Sequence, residues 1–278
     1  MLKETFIKAL ITEDLGRGDL FARISTSKPI RAYIIAKSDG VFAGEEYVST
    51  LAKMYDLSLE WQISDGQTFS KGEKLLYISG DSKDILSLER SILDMVLHAS
   101  SIATLTAQYV AALQGTGVKL LDTRKTRPLL RAFEKYAVRC GGGINHRMGL
   151  DDCLMLKDTH LKTIDDLEYF MKEVRQKIPF TSKVEIECED LVMAKKAMKA
   201  GADIIMCDNM GLEETKEVVA YRNENYAHIL LEASGNVTLE TIEAIAQTGV
   251  DAISSGSIIH QANWIDLSMK VEDVKVEG

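Results

Sequence analysis

The 278-residue sequence has only three prolines and four cysteines, aromatic residues make up 6% of it, and no stretch is both long and free of charge. Without an apolar run of about 18 residues it offers no candidate transmembrane helix. Its first residues, MLKETFIKALITEDLGRGD, mix charges into an amphipathic pattern and lack the unbroken apolar core of a secretory signal, so the expected location is the cytoplasm. Cys140, Cys153, Cys188 and Cys207 lie far apart with no C-x-x-C pair. That spacing argues against a disulfide framework and a structural zinc site, and leaves reduced structural thiols. No repeat of fixed period and no low-complexity linker is present. Positive charge is in deficit too: 33 Lys plus Arg against 42 Asp plus Glu give a net charge of −9. A general attraction to nucleic acid or to an anionic membrane is therefore not expected. With 46% apolar residues the chain can bury one large core or two smaller ones.

Against that acidic background, LLDTRKTRPLLR places Arg124, Lys125, Arg127 and Arg131 within eight positions. From about residue 117 onward, short apolar runs alternate with amphipathic stretches. GVKLLDT, CLMLKDTH, KVEIEC, ADIIMCDN, HILLEASG and DAISSGSIIH read as strands. TIDDLEYFMKEVRQKI, DLVMAKKAMKAG and TLETIEAIAQTG read as helices. Strands apolar throughout fit a parallel sheet covered on its faces. Six or seven such units without a G-x-G-x-x-G turn point to an α/β barrel, whose site is built at the C-terminal strand ends. The runs end in DTRK, LKD, EIE, CDN, EASG and SSGS, polar endings expected to converge. The first hundred residues differ. RAYIIAKSDGVFAGEEYV and LSLEWQISDGQTFSKGEKLLYISGD alternate apolar and polar residues around Asp-Gly and Lys-Gly turns, as antiparallel strands do. A helical stretch of some thirty residues, read as one helix or two, then leads into the barrel. The expected division is 1–102, with 266–278 returning to it, and 103–265.

Arg124, Lys125, Arg147 and Lys157 at strand and loop ends suit a ligand with more than two negative charges: arginine offers a two-pronged fork, lysine a point charge. His146 and His260 are candidates for acid–base work or ligand contact, while His98 and His160 are taken as structural. Gly141, Gly142 and Gly143 can bring backbone close to a ligand. Ser234, Gly235, Asn236, Ser255, Gly256 and Ser257 can cradle a phosphate with backbone N–H groups and hydroxyls. Glu187 and Asp208, closing successive strands, make sense opposite a polyanion if Mg²⁺ bridges them to phosphate oxygens, or if positive charge develops on the substrate. Alternation puts Glu185 and Glu187 on one face, so spacing leaves open which reaches the ligand.

The stretches ALITEDLGRGD, AKSDGVFAGEE, LERSILDMVLHASSIATLT, DTRKTRPLLRAFEKYAVRCGGGINHRMGL, LKDTHL, VEIECE, GADIIMCDN, LLEASGN and GVDAISSGSIIH resemble, in order, the quinolinate phosphoribosyltransferases, also called nicotinate-nucleotide pyrophosphorylases (carboxylating). The resemblance implies an N-terminal α/β sandwich domain and a C-terminal incomplete, open α/β barrel of the type II phosphoribosyltransferase kind. It implies a pentosyltransferase that joins quinolinate to 5-phosphoribosyl-1-pyrophosphate with loss of CO₂ on the route to NAD, using Mg²⁺ and no organic cofactor. It also implies a homodimer or hexamer with shared active sites. Carried over by motif, Arg124, His146, Arg147 and Lys157 hold quinolinate, with Arg90 supplied by a neighbouring subunit. Lys125, Glu187, Asp208, Ser234, Gly235, Asn236, Ser255, Gly256 and Ser257 serve the phosphoribosyl group, with His260 close by, and Thr123 is a further substrate contact. Lys125, Glu187 and Asp208 are the catalytic set, Glu187 and Asp208 the Mg²⁺ acids. The register of VEIECE favours Glu187 over Glu185. The chain departs from the family pattern at Arg127-Pro128-Leu129, where Pro-Gly-Leu is usual, at Thr159 and at Ser101; none of these removes a charged site residue. Three other readings stand beside this one: a molybdenum-transport-associated homologue of the same fold, a barrel lyase with a Schiff base on Lys157, and a non-catalytic sensor of a phosphorylated pyridine.

Overall fold

A computed structural model describes residues 3–273. In chain order the elements are α1 (Lys3–Leu15), α2 (Leu20–Ile24), β1 (Pro29–Ala36), β2 (Gly40–Val41), α3 (Glu45–Met54), β3 (Ser58–Trp61), β4 (Thr68–Phe69), β5 (Lys74–Asp81) and α4 (Ser82–Ala112). There follow β6 (Lys119–Leu121), α5 (Arg131–Cys140), β7 (Leu154–Leu156), α6 (Asp158–Leu161), α7 (Leu167–Lys177), β8 (Val184–Cys188), α8 (Leu191–Lys199), β9 (Ile204–Asp208) and α9 (Leu212–Asn225). The chain closes with β10 (Leu230–Ser234), α10 (Ile242–Ala246), β11 (Ala252–Ser254), α11 (Ser257–His260) and β12 (Leu267–Val271). The described residues divide into two compact units, 3–107 with 128–142 and 262–273, and 108–127 with 143–261. Among them no helix is long and apolar enough to cross a membrane.

The first unit is built on a four-stranded antiparallel sheet, order β12-β1-β5-β3, beside a two-stranded pair, β2-β4. The alternation in β1 buries Ala32, Ile34 and Ala36, and β5 adds Leu75, Leu76 and Ile78. β12 pairs along β1 from Ala36↔Leu267 to Ala32↔Val271, so the chain's later part returns to this sheet. The remainder of the expected returning segment, 274–278, lies outside the described residues. Helix α5 also belongs here, although the sequence reading assigned it to the barrel. Its aromatic face is the reason: Phe133 meets Phe6 at 5.1 Å and Tyr47 at 4.7 Å between ring centroids, and Gly44 N–H donates to Tyr136 Oη at 3.0 Å. One expectation about local structure changes: GEEYV, read as the end of a strand stretch, opens α3. The thirty-residue helical stretch, left open between one helix and two, is the single helix α4.

The second unit is the incomplete barrel: six parallel strands in the order β6-β11-β10-β9-β8-β7. Each lies inside one of the six apolar runs. Helices start where a carboxylate can satisfy their free N–H groups: Asp166 accepts from Tyr169 at α7, and Asp190 from Met193 at α8. Parallel pairing aligns the strand ends, with Ser234 opposite both Asp208 and Ser254, and Cys188 opposite Cys207. Beyond β6 the chain 143–147 continues the parallel arrangement through the Leu121↔Ile144 bridge, with Ile144 N–H donating to Leu120 O and Asp122 N–H to Ile144 O.

Leu129, at the departure from the Pro-Gly-Leu pattern, has φ 65° and is 82% exposed. A left-handed conformation costs an L residue about 1–2 kcal/mol, part of which glycine's larger unfolded entropy takes back. Leu129→Gly is expected to stabilise the chain by about 0.5–1 kcal/mol, read as a rise in Tm of a few degrees; a fall in Tm would show that Leu129 makes a contact worth more than its strain.

Candidate active site

The C-terminal strand ends of the second unit enclose a cleft of about 470 Å³. β6 and the residues after it bring Thr123, Arg124 and Lys125; the segment beside β6 brings His146 and Arg147; β7 brings Met155 and, at its end, Lys157. Glu187 comes from β8, Met206 and Asp208 from β9 with Asn209 just beyond, Ser234 from β10 followed by Gly235 and Asn236, and Ser254 from β11.

The cationic wall is set from below. Asp122, fully buried, accepts from His146 N–H at 2.9 Å and from Asn145 Nδ2 at 2.6 Å, which fixes the chain leading to Arg147. Arg147 is 8% exposed and spends part of its fork on Cys153 O at 2.9 Å, while burial and then the neighbouring Arg124 charge press its pKa down. Arg124 Nε is buried and makes no hydrogen bond among the described residues. Two guanidinium groups held together in this way are stabilised by an anion, which removes both the repulsion and the unmet donor. Lys125 N–H donates to Thr123 Oγ1 at 3.0 Å, and its side chain runs past Gly256.

Lys157 Nζ is paired with Glu187 Oε2. On the acidic side Asn209 Nδ2 donates to Asp208 Oδ2 at 2.9 Å. Glu187 and Asp208 offer hard carboxylate oxygens and the lining includes no thiol, a donor set that fits Mg²⁺.

Below the cleft Glu185 and Glu232, 0% and 2% exposed, face His146: Nε2 lies 3.1 Å from Glu185 Oε2 and 3.3 Å from Glu232 Oε2. Burial opposes charge on the imidazole, but the two carboxylates outweigh it and push His146 up to about 10. Burial likewise pushes Glu185 up. Arg147 N–H meanwhile donates to His146 Nδ1 at 2.7 Å, which a doubly protonated ring could not accept. The proton count reconciles the two observations. The trio holds one proton more than a neutral imidazole with two carboxylates, and the Nδ1 contact puts that proton on the carboxylate side. Both ring nitrogens thus have partners within the protein, and His146 serves the site by bracing Arg147.

Arg124, Lys125, Thr123, His146, Arg147, Lys157, Glu187, Asp208, Ser234, Gly235 and Asn236 therefore come together. Ser255, Gly256, Ser257 and His260 do not line the cleft. The Ser255 and Ser257 hydroxyls are buried and bonded to each other at 2.5 Å, Ser257 donates to Val237 O at 3.3 Å, and His260 is exposed at the end of α11. Ser254, one residue earlier, lines it instead. Arg90 lies in the first unit, exposed on α4, with Nη1 3.4 Å from Asp94 Oδ1. Glu187 faces the cleft and Glu185 sits one pleat deeper. Asp122, Asn209 and Glu232 were missed as site residues, though Asn209 closes the CDN ending that drew attention to Asp208, and Glu185, weighed only as a rival to Glu187, lies beneath the cleft instead. His98 is structural, 2.9 Å from Glu134, and His160 Nδ1 accepts Lys157 N–H at 3.0 Å at the start of α6. All four cysteines are free; burial pushes Cys153 up to about 11 and Cys207 up to about 12, leaving them poor nucleophiles.

Comparison with known proteins places two family domains in succession along the chain. Residues 16–100 match the N-terminal domain and residues 102–270 the C-terminal domain of quinolinate phosphoribosyl transferase. The sequence is 37% identical to a probable nicotinate-nucleotide pyrophosphorylase [carboxylating] of Synechocystis, covering 96% of this chain and 92% of the relative. It is 38% identical to the probable enzyme of that name from Methanothermobacter thermautotrophicus, covering 97% and 99%. The structure of the nicotinate-nucleotide pyrophosphorylase from Francisella tularensis superposes with a TM-score of 0.89 at 32% identity, covering 98% of each chain.

The buried trio binds a proton that the unfolded chain releases once pH exceeds the ordinary histidine value of 6.5. A raised folded pKa gives stability that is full below that value and is lost as pH rises toward about 10. Melting temperature is therefore expected to fall between pH 7 and 10, and to fall less in Glu185→Gln; an identical slope in the variant would remove the trio as the cause.

Proposed function

The chain belongs to the quinolinate phosphoribosyl transferase family, and we propose on that premise that it transfers phosphoribosyl from 5-phosphoribosyl-1-pyrophosphate to quinolinate, yielding nicotinate mononucleotide, pyrophosphate and CO₂ for NAD synthesis. One observation carries the reading: cations, small residues and acids follow one another around a single cleft, so that a dicarboxylate and a phosphorylated sugar each find a complementary side.

Arg124 and Arg147, with the second carboxylate shared toward Lys157, hold quinolinate through its two carboxylates. Lys125 and the Ser234, Gly235 and Asn236 turn, with its backbone and side-chain donors, take the phosphate groups of the donor. Glu187 and Asp208 face the ribose carbon that becomes electron-poor as the bond to pyrophosphate lengthens, and their charge stabilises it. The pyridine nitrogen lone pair forms the new bond to that carbon, and the pyrophosphate oxygen departs with the old bond's electron pair. The ring is then a pyridinium. When the 2-carboxylate leaves as CO₂, the electron pair of the broken bond stays on ring carbon 2 beside the positive nitrogen, and a proton from solvent quenches it. No organic electron sink is needed. Mg²⁺, held by Glu187 and Asp208 together with the pyrophosphate, would neutralise charge on the leaving group.

The reading extends to a cytoplasmic homodimer or hexamer in which Arg90, exposed on its helix, serves a neighbouring copy. Four free thiols support a reducing compartment.

Purified protein mixed with quinolinate, phosphoribosyl pyrophosphate and Mg²⁺ is expected to produce nicotinate mononucleotide; no product, with nicotinate also inert, would overturn the assignment. Arg124→Ala is expected to weaken quinolinate binding by on the order of 100-fold, the worth of a charge-assisted fork, while donor affinity changes a few-fold. Equal losses for both substrates, measured by calorimetry, would contradict the division of the cleft.

A further inference from the structure

Asn209 lies at the rim of the cleft where two strand ends meet, and neither charge nor nucleophilicity explains its presence. It has φ 55°, and Asn236 across from it has φ 48°. Left-handed backbone at two non-glycine residues of one cleft edge is a strain that persists where the side chain has a use. Asn209 makes three bonds. Its N–H donates to Ser234 O at 2.8 Å, its Nδ2 donates to Asp208 Oδ2 at 2.9 Å, and its Oδ1 accepts from Asn236 Nδ2 at 3.0 Å. The carboxylate can only accept, so the amide of Asn209 has one orientation available, and its oxygen is left for Asn236. Gly235 answers to the same side chain: with φ 97°, a Cβ there would lie 2.1 Å from Asn209 Oδ1. Asp208, Ser234, Gly235 and Asn236 thus all meet Asn209, Ser234 through its backbone N–H and the others through its side-chain amide.

We propose that Asn209 is a positioning residue, which ties the Asp208 carboxylate to the 234–236 turn so that acid and phosphate-side loop meet the phosphoribosyl donor as one rigid piece. With Oδ2 engaged by Asn209, Asp208 presents Oδ1 to the donor. Aspartate at 209 would keep the acceptor for Asn236 but put a second negative charge against Asp208. Glycine at 209 would keep the backbone shape and lose both side-chain bonds. Neither substitute does both jobs. The inference rests on the reading that the donor occupies this side of the cleft.

The test uses the full chain, and wild-type turnover of quinolinate and donor is measured first, because its absence would sink the functional reading and say nothing of Asn209. With wild type active, Asn209→Gly and Asn209→Asp are each expected to lose about 10- to 100-fold in kcat/KM for the donor, the effect of one hydrogen bond to a charged group. Quinolinate binding by calorimetry should stay within about threefold, the scale of an indirect effect. Wild-type kcat/KM in the glycine variant would show that only backbone shape matters. Wild-type kcat/KM in the aspartate variant would show that the bond to Asp208 does not matter. Quinolinate affinity falling as far as donor efficiency, or failure of both variants to fold, would make Asn209 a structural residue. Any of these results overturns the proposal.

Discussion

A parallel sheet sends every strand out of the core on the same side, and the chemistry of this protein depends on that constraint. Six strands of three to five residues each bring side chains at or near their C-terminal ends to one rim. Along the order β6-β11-β10-β9-β8-β7 that rim runs from Arg124 and Lys125 through Ser254 and the Ser234–Asn236 turn to Asp208, Glu187 and Lys157. A chain with a net charge of −9 thereby still offers a local cationic wall. Helical or antiparallel elements would have spread the same residues over several faces.

The same strands hold charge inside the barrel. Glu185 and Glu232 alternate with the apolar residues that build the sheet, so the period-two pattern that sends Glu187 to the cleft also buries Glu185 beneath it. An uncompensated carboxylate pair there would be costly, and the proton retained by the trio, with His146 Nε2 facing both acids, offsets it. The histidine is spent in doing so. Its Nε2 faces the carboxylates and its Nδ1 accepts Arg147 N–H, which holds the arginine's backbone against the floor. Binding of an anion above thus depends on electrostatic balance below.

Much of this was legible in the sequence. The six apolar runs with polar endings located the strands and the rim, and the acids, the cations and the turn at 234–236 fell where the endings put them. Other features were not legible, for physical reasons. Periodicity assigns a face but not a depth, so it could not separate Glu185 from Glu187. A serine after a strand can point to a ligand or into its own turn, and Ser255 and Ser257 take the second course by bonding each other, leaving Ser254 on the rim. Helix α5 has the amphipathic pattern of any barrel helix; only Phe6 and Tyr47, more than eighty residues away in sequence, draw it to the first unit. Asn209 escaped notice because asparagine after a strand reads as turn chemistry, and its bond with Asn236 exists only once β9 and β10 are neighbours.

The central claim is that one cleft couples loss of pyrophosphate from the sugar to loss of CO₂ from the pyridine. Quinolinate labelled with ¹³C in its 2-carboxyl group tests this most directly, by following labelled CO₂ and pyrophosphate in the same reaction. The account predicts that the two appear in equal amounts and only when both substrates are present; labelled CO₂ released without the donor, or pyrophosphate released without labelled CO₂, would contradict it.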